Sequence, residues 1–433
     1  MAKRKSKQSQ VNAQSVPERR IHKGWLLGIL IVHIVLCFIY WHYTDFGAPP
    51  DETGHNSYIH YMVSERSLPV YFSSNNDTYE CYQPPLYYAL GLPFFMAGKL
   101  IGLSEPSVAV RLLSIILGAL SVLLVYLTMK RIFPRDDGVA IGCAGFVALL
   151  PTHVMISSMV SNDIIMEVVF GLAILLMVGM QVGKLTWRQS TFLGIALGLG
   201  ILSKMTCLIL FPIAVASYLL ILRRTTETWT VVLKHAGLAL GIAFLVGGWW
   251  FVRNQLVYGD ALGIAEMKDS FFLHSKNVQE SLNAGMPLNF YLGMIVTWTF
   301  RSFWCVLGPM TIQLDPMVYI VLAVLSVVTA ITCRRGILRR REVGEWSSST
   351  GIILGLVLGL VAISFIQMNM MVFQSQGRYL YPALIPFALI WYLGIEGILG
   401  RGNRLTTWLA IGVPMGIQVL ALIYCVTPGI IFH

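Results

Sequence analysis

Charged residues are scarce in this sequence. They make up 12% of its 433 residues, whereas 56% are hydrophobic. A soluble protein of this length could not cover its surface with so few charges, so the composition excludes a soluble globular protein. Apolar runs of about 20 residues recur along the chain, which is the length that crosses a bilayer as a helix. The sequence therefore predicts an all-α integral membrane protein.

The cysteines also lack the spacing that is typical of a metal site. The seven cysteines include no CxxC pair and no zinc spacing, and most of them lie within apolar runs. Cys81 and Cys305 both fall in segments that we place outside the membrane, so a disulfide between them stays an open alternative. The sequence shows no internal repeat and no separate soluble domain.

A cleavage site is absent after the first apolar run. The run at 24–41 ends in the bulky side chains of Trp41, His42 and Tyr43, where a signal peptide would carry small residues. We interpret it as a retained anchor that follows a basic cytoplasmic tail at 1–23. The net charge of +10 would suit a nucleic-acid partner, but the basic residues cluster between apolar runs, as in cytoplasmic loops. No nucleic-acid partner is predicted.

The distribution of basic residues indicates which apolar runs cross the membrane. The apolar runs at 84–101 and 289–310 are placed on the outer surface, because crossing would put the basic clusters that follow them outside. Arg301 at the centre of the bilayer would also cost ~3 kcal/mol. Residues 24–433 then form one polytopic domain with external loops at 44–106 and 253–315. About eleven transmembrane helices are predicted, at 24–43, 107–129, 138–158, 163–182, 190–222 (two short spans), 235–252, 316–333, 351–372, 379–398 and 406–427.

Two adjacent carboxylates, Asp51 and Glu52, follow the first span directly. The two prolines before them suit the first turn of a new helix, so the pattern predicts an amphipathic juxtamembrane helix over 50–65. Free amides and the helix dipole favour carboxylates in that first turn. A good helix start would by itself explain the motif. Its position at a membrane surface, beside His55, instead favours a catalytic site.

Several cations are predicted on the same side. Arg378 lies in a polar break at 374–382, and Lys204 lies in the break between two short spans; Arg111 and Arg301 are further candidates. Such side chains can extend to lipid phosphates with no further role. They are equally suited to the phosphate of a bound ligand. Both interpretations stay open from the residues alone.

Two further polar features lie near that side. The motif SND at 161–163 is typical of a helix cap. One turn deeper, Glu167 falls inside a predicted span, where an acid indicates either a functional site or a polar pair with another helix.

The order of these motifs resembles a known family. Along the chain they are PPDETGH at 49–55, QPPLYY at 83–88, RLLS at 111–114, SND at 161–163, SK at 203–204, RSFW at 301–304 and GRYLYP at 377–382. This order is similar to that of the polyprenyl-phosphate-dependent glycosyltransferases of the GT-C fold. That group includes the protein mannosyltransferases and the aminoarabinose transferase of lipid A.

The resemblance implies a hexosyl or pentosyl transferase of the plasma (inner) membrane, with a cytoplasmic N-terminus and an external active site. Its partners would be the bilayer, a polyprenyl-phosphate-linked sugar donor, and a glycan, lipid or protein acceptor. Asp51 is implied as the general base, with Glu52 as a second catalytic carboxylate. For such a reaction, the candidates for binding the donor phosphate are Arg378, Lys204, Arg301 and Arg111. The candidates for substrate contacts are His55, Gln83, Tyr87, Tyr88 and Tyr379.

The cofactor is left unassigned. Some relatives coordinate a divalent metal near the acidic pair, and Glu52, His55 and Glu80 are the candidate ligands here. No metal-binding spacing in the sequence supports them.

Two other functions compete with glycosyl transfer: a secondary transporter and a non-catalytic subunit of cell-envelope glycan assembly. Transporters bind at the midplane with broken helices in two related halves. This sequence has one such broken pair, at 190–222, and no matching second half. The ionisable residues gather at the predicted outer edge instead, which favours the enzyme.

Overall fold

The computed structural model describes residues 21, 24–75, 78–274 and 278–426. Apart from Ile21, the predicted basic tail lies outside the described residues. The described chain is built from α-helices, which confirms the predicted all-α membrane fold. The helices are α1 (Gly24–Tyr43), α2 (Glu52–Glu65), α3 (Leu86–Leu100), α4 (Arg111–Ile132), α5 (Asp137–Ala148), α6 (Pro151–Ser157), α7 (Asp163–Val182), α8 (Trp187–Ser203), α9 (Leu210–Arg224), α10 (Trp229–Gly247), α11 (Trp249–Tyr258), α12 (Ile264–His274), α13 (Val278–Asn283), α14 (Leu288–Trp304), α15 (Pro316–Glu342), α16 (Ser348–Met371), α17 (Leu384–Leu399) and α18 (Arg404–Val426).

The candidate spans agree with the predicted ones. Within the described ranges, nine helices are long and apolar enough to cross a membrane, and a bent pair, α5 with α6, makes ten. The remaining predicted span falls on α8, which has 17 residues and lies at the lower limit of the ~17–25 residues that a crossing needs. Three short 3₁₀-helices extend α4, α9 and α17 at their N-terminal ends, at Pro106–Val110, Met205–Ile209 and Gly377–Ala383.

The predicted span at 138–158 is a bent pair of helices, because α5 and α6 meet at an angle of 68°. The chain leaves the helix at Leu149 and Leu150, and Pro151 begins the next one. Proline has no amide hydrogen and restricts the residue before it to extended conformations, so a helix ends there. The bend turns α6 toward the end of the bundle where the first loop lies.

The two apolar runs that we placed on the surface form helices that are shorter than any of the nine candidate spans. Helix α3 has 15 residues, or about 22 Å. Helix α14 has 17 residues and ends at a small antiparallel hairpin, in which Val306–Leu307 (β1) pairs with Ile312–Gln313 (β2). Arg301 lies in the last turn of α14, and its guanidinium donates to Gln313 at 3.2 Å.

The two long loops meet at one end of the bundle. The Tyr71 hydroxyl donates to Asp269 at 2.8 Å, and its amide donates to the hydroxyl of Tyr258 at 3.0 Å. The Ser270 hydroxyl donates to the carbonyl of Tyr79 at 2.6 Å. Helix α12 of the second loop therefore lies over the first loop.

No disulfide joins Cys81 and Cys305, so that alternative is wrong. Both side chains are buried in the apolar core. Cys81 lies in the turn before α3, whereas Cys305 ends α14 and enters the hairpin.

A buried charge cluster fixes the opposite end of the bundle. Arg340, near the end of α15, is inaccessible to solvent. It binds Asp136 at 2.7 Å and Glu345 at 3.0 Å, and it also binds Glu396 of α17. Buried ions need such partners because their desolvation is costly. The cluster ties α15, α17 and the start of α5 together.

Candidate active site

A small pocket lies where the first loop, the second loop and the helix ends meet. It holds about 70 Å³ of free space. Its lining combines charged groups with apolar side chains of α12 and α16. The residues are Asp51, His55, Glu80, Tyr82, Gln83, Lys204, Met205, Thr206, Met267, Phe271, Met368, Arg378 and Tyr379.

Four charged groups form a continuous chain at this pocket. The guanidinium of Arg378 binds Asp51 through Nη2 and binds Asp163 through Nη1 at 3.1 Å. Asp163 also binds the ammonium of Lys204. The two carboxylates and two cations are formally neutral together. These ion pairs connect the first loop, α7, the break before α9 and the polar break before α17.

Asp51 precedes α2 rather than standing in its first turn, which corrects the predicted helix start. Its backbone is left-handed, with φ of 66°, and its side chain makes no capping hydrogen bond. Aspartate visits this conformation more readily than most residues, but still at a cost of about 1–2 kcal/mol. The strained backbone turns the carboxylate toward Arg378, and 35% of that side chain stays exposed.

The acids and the histidine of the pocket have different protonation states. Burial acts to raise the pKa of Asp51, but the charge and hydrogen bond of Arg378 outweigh burial and hold that pKa below its usual value. Burial lowers the pKa of His55 to about 4, so its ring is neutral at pH 7. Burial and the charge of Asp51 raise the pKa of Glu80 to about 8. At neutral pH the pocket thus holds one carboxylate, one carboxylic acid and one neutral imidazole.

The structure does not bring Glu52 into the pocket. Its carboxylate is buried and accepts two hydrogen bonds from Arg111, at 2.8 and 2.7 Å. It also accepts from the amides of Gly47 and Val160, each at 2.8 Å. Four donors saturate this carboxylate, and Arg111 faces Glu52 rather than the pocket. Arg301 also lies outside the pocket lining.

The predicted substrate contacts divide into two groups. His55, Gln83 and Tyr379 line the pocket. Tyr88 and Tyr87 are buried behind it. Tyr88 is within 2.9 Å of the His55 ring nitrogen, and Tyr87 accepts from the amide of Ser161 at 3.2 Å. The two tyrosines therefore support the pocket from behind.

A close backbone approach positions Arg378. The amide of Gly377 donates to the hydroxyl of Ser302 at 2.7 Å. A Cβ atom at position 377 would lie 2.1 Å from the amide nitrogen of Phe303, which only glycine avoids. The segment before α17 therefore rests directly on the end of α14.

Glu167 lies among buried polar groups. Its Oε2 atom lies 3.1 Å from the ring of His153 on α6 and 3.4 Å from the Ser121 hydroxyl. All of these groups are buried. The bend after α5 brings His153 to this position.

Two kinds of comparison with known proteins found similarities to this chain. The family described as dolichyl-phosphate-mannose-protein mannosyltransferase matches residues 85–250. A search of curated proteins found no match. The oligosaccharyltransferase of Archaeoglobus fulgidus, in a complex with Zn and sulfate, superposes with a TM-score of 0.54 at 14% identity, over 92% of this chain and 53% of its own.

Two structures with bound carriers are also similar in fold. AglB from Archaeoglobus fulgidus, in complex with an inhibitory peptide and a dolichol-phosphate, has a TM-score of 0.53 at 14% identity, over 92% of this chain and 55% of its own. ArnT from Cupriavidus metallidurans, bound to undecaprenyl phosphate, has a TM-score of 0.52 at 13% identity, over 94% and 78%. The chain spans about half the length of the archaeal relatives.

The chain therefore shares the fold of these membrane proteins, and a mannosyltransferase family model matches part of it. Both findings agree with the predicted resemblance. The motifs that carried it, PPDE and GRYLYP, meet in space through Asp51 and Arg378, although 327 positions separate them in the sequence.

The predicted metal ligands do not gather in this protein. Across the part of the chain that the structure describes, no group of three or more His, Cys, Asp or Glu side chains is arranged to hold a metal ion. His55 and Glu80 line the pocket, but Glu52 is turned away to Arg111. This arrangement does not fit the predicted ligand set.

Asp163 binds both cations of the pocket, although sequence reasoning assigned it to capping alone. It stands at the first position of α7, where a capping role accounts for an acid. The signal that could have identified it was the order of the motifs, since SND lies between two other motifs that contribute charges to the pocket.

Proposed function

We propose that this protein moves a sugar from a polyprenyl-phosphate carrier to an acceptor hydroxyl by an inverting displacement. The single observation that carries the proposal is the contact between Asp51 and Arg378 in one pocket at the end of the bundle. A base for the acceptor and a cation for the leaving phosphate are the two groups that this reaction needs.

The reaction is a single displacement at the anomeric carbon. The acceptor oxygen forms a bond to that carbon as the bond to the carrier phosphate oxygen breaks. The acceptor proton passes to the Asp51 carboxylate, and the electron pair of the broken bond stays on the phosphate. Arg378 and Lys204 stabilise the charge that develops there.

The charge balance of the pocket suggests how Asp51 becomes available. Arg378 uses one nitrogen for Asp51 and another for Asp163. A donor phosphate competes with Asp51 for Arg378, since guanidinium binds both groups in the same geometry. Binding of the donor then releases Asp51 to act as the base, while Asp163 keeps Arg378 in place.

An apolar crevice beside Arg378 suits the carrier chain. It holds about 510 Å³ of free space between α14, α15, α16 and α17. Its wall begins at Leu380, two positions after Arg378, and includes Phe303 and Trp391. Aromatic and aliphatic walls of this kind favour a prenyl chain. The bound carriers of AglB and ArnT, both polyprenyl phosphates, support the same ligand class.

The sidedness follows from the basic residues. The clusters at 130–135, 223–224 and 334–341 lie at helix ends opposite the pocket. The positive-inside rule puts those ends, and the N-terminus, in the cytoplasm. The pocket then faces outward from the plasma membrane.

Reconstituted protein tests the proposal. Purified protein in lipid nanodiscs is incubated with synthetic polyprenyl-phosphate sugars and acceptor candidates, and mass spectrometry follows transfer. Arg378→Gln should lower transfer at least about 100-fold, because a catalytic phosphate contact is worth ~3 kcal/mol or more. Arg301→Gln is the matched control, a cation at the same end but outside the pocket, and should transfer at the parent rate. Equal activity of the two variants would overturn the phosphate assignment, and uptake of an intact sugar into proteoliposomes without transfer would indicate a transporter.

The pH dependence of donor binding depends on Glu80. With a pKa raised to about 8, Glu80 is neutral at pH 7 and gains a negative charge as the pH rises through that value. The new charge repels the donor phosphate, so KM for the donor should rise roughly fivefold between pH 7 and 9, as expected for ~1 kcal/mol of repulsion. Glu80→Gln should remove the rise, whereas Glu105→Gln, away from the pocket, should keep it. The same rise in both variants would exclude Glu80 as its cause.

A further inference from the structure

A second large cavity lies at the end of the bundle opposite the pocket. It holds about 660 Å³ of free space. Helix α7 connects the two ends, because Asp163 at its start contacts Arg378 and Val182 at its end lines the cavity. Its 20 residues span about 30 Å. The cavity is therefore a separate site from the candidate active site.

Three arginines of this cavity are not neutralised. Arg131, Arg135 and Arg224 all line it, and none has a carboxylate within ion-pair distance among the residues that the structure describes. Arg131 and Arg224 donate to backbone carbonyls at the end of α7, including Gly179 at 3.2 Å. Such caps are favourable at a helix C-terminus. They occupy one nitrogen of each guanidinium, which has five N–H donors, so most donors stay available.

The other charges of the cavity are already paired. Lys130 binds Asp137 at the start of α5. Glu345 is the carboxylate of the lining, and it binds Arg340 at 3.0 Å and Arg401 at 2.7 Å. The cavity thus carries an excess of positive charge that its own acids do not cancel.

Two residues that line this space have buried polar atoms without a partner in the described part of the chain. Gln181 is 1% exposed, and Thr350 is fully buried. The Gln181 amide nitrogen donates to the carbonyl of Ser217 at 2.9 Å, but its Oε1 atom has no hydrogen-bond partner within the described ranges. The Thr350 hydroxyl also has none there. Buried polar atoms normally have partners, so both atoms have hydrogen-bonding capacity left for a ligand. A hydroxyl donor suits a phosphate oxygen, and an amide oxygen suits a ligand hydroxyl.

Tryptophans place the cavity at the depth of lipid headgroups. Trp346 lines it and stacks on Phe133 with ring centroids 6.2 Å apart. At the same end, Trp187 begins α8 and Trp229 begins α10, with 54% and 60% of their surfaces exposed. Exposed indoles mark the membrane–water interface. The cavity therefore opens where phospholipid headgroups lie.

We propose that this cavity binds the phosphodiester of an anionic phospholipid whose headgroup carries hydroxyls. The arginines hold the phosphate, the Thr350 hydroxyl donates to one of its oxygens, and Gln181 accepts from a headgroup hydroxyl. The lipid then links the ends of α4, α7, α9 and α16.

Native mass spectrometry of the purified full chain tests this site, with phosphatidylglycerol and phosphatidylcholine as the added lipids. Phosphatidylglycerol should bind with clear preference. The triple variant Arg131→Gln/Arg135→Gln/Arg224→Gln should bind it at least about tenfold more weakly, since each basic residue near a lipid surface contributes ~1 kcal/mol. The matched control is Arg223→Gln/Arg334→Gln/Arg335→Gln, which removes the same charge at the same end outside the cavity lining.

The outcomes distinguish specific lipid binding in the cavity from attraction of the lipid to diffuse surface charge. Parent-like binding by the control, with loss in the triple variant, supports the site. Equal losses in both would overturn it in favour of diffuse surface charge. Thr350→Val keeps every charge and every cap, so it should weaken phosphatidylglycerol binding even where the triple variant proves unstable, and unchanged binding would count against the site. Displacement of the lipid by millimolar glycerol phosphate would overturn the lipid assignment.

Discussion

Asp51→Asn is expected to lower the turnover of sugar transfer at least about 100-fold, because a positioned base contributes 10²–10⁴-fold. The amide keeps the size of the side chain but cannot take the proton. Arg378 still has Asp163 as its second partner, so the pocket should persist. Because the variant removes a competitor for Arg378, it should bind the donor phosphate at least as tightly as the parent.

Single-turnover kinetics and donor binding, measured on the same nanodisc preparation, check this prediction. Asp45→Asn is the matched control, an acid of the same loop whose backbone carbonyl, rather than its side chain, contacts Arg111. It should transfer sugar at the parent rate. Parent-like turnover in Asp51→Asn would disprove the base assignment, and a loss of donor binding with turnover unchanged would assign Asp51 to binding.

Glu52→Gln is expected to destabilise the protein by about 3–5 kcal/mol, because it leaves the buried guanidinium of Arg111 without its counter-ion. The pair is almost fully buried, with 2% and 0% of the two side chains exposed. The lost carboxylate also weakens the hydrogen bonds from Gly47 and Val160, and the second of these holds the first loop against the turn before α7.

Unfolding by SDS titration measures this effect. The control is Glu105→Gln, which breaks the exposed pair with His60 and should cost at most about 1 kcal/mol. A Glu52→Gln variant with parent stability and no activity would instead support the catalytic role that the resemblance implied for Glu52. Asp51→Asn and Glu52→Gln thus separate a chemical function from a structural one in adjacent residues.

Much of the helix arrangement could be predicted from the positions of the basic clusters between the apolar runs. Placing 84–101 and 289–310 on the surface gave spans that coincide with the candidate helices, because the positive-inside rule constrains every later span once one is fixed. The bend between α5 and α6 was missed. An apolar run carries no signal for its direction, and Pro151 alone does not tell a kink from a helix start.

The sequence predicted several residues of the pocket, but it did not predict which side chains contact each other. Asp51, Lys204 and Arg378 belonged to motifs whose order suggested a shared pocket. The orientation of Glu52 could not be derived, since adjacent helix positions point about 100° apart and only the packed fold shows which one faces Arg111. The same holds for Arg111, whose motif gave its location but not its contact.

Gly377 has a consequence for altering the donor preference of this protein. Its backbone lies so close to Phe303 that any side chain would displace Arg378. In a saturation library selected for transfer of a different sugar, position 377 should stay glycine. Diversity aimed at new donors therefore belongs on α12, at Met267 and Phe271, which cover the pocket without carrying its cations.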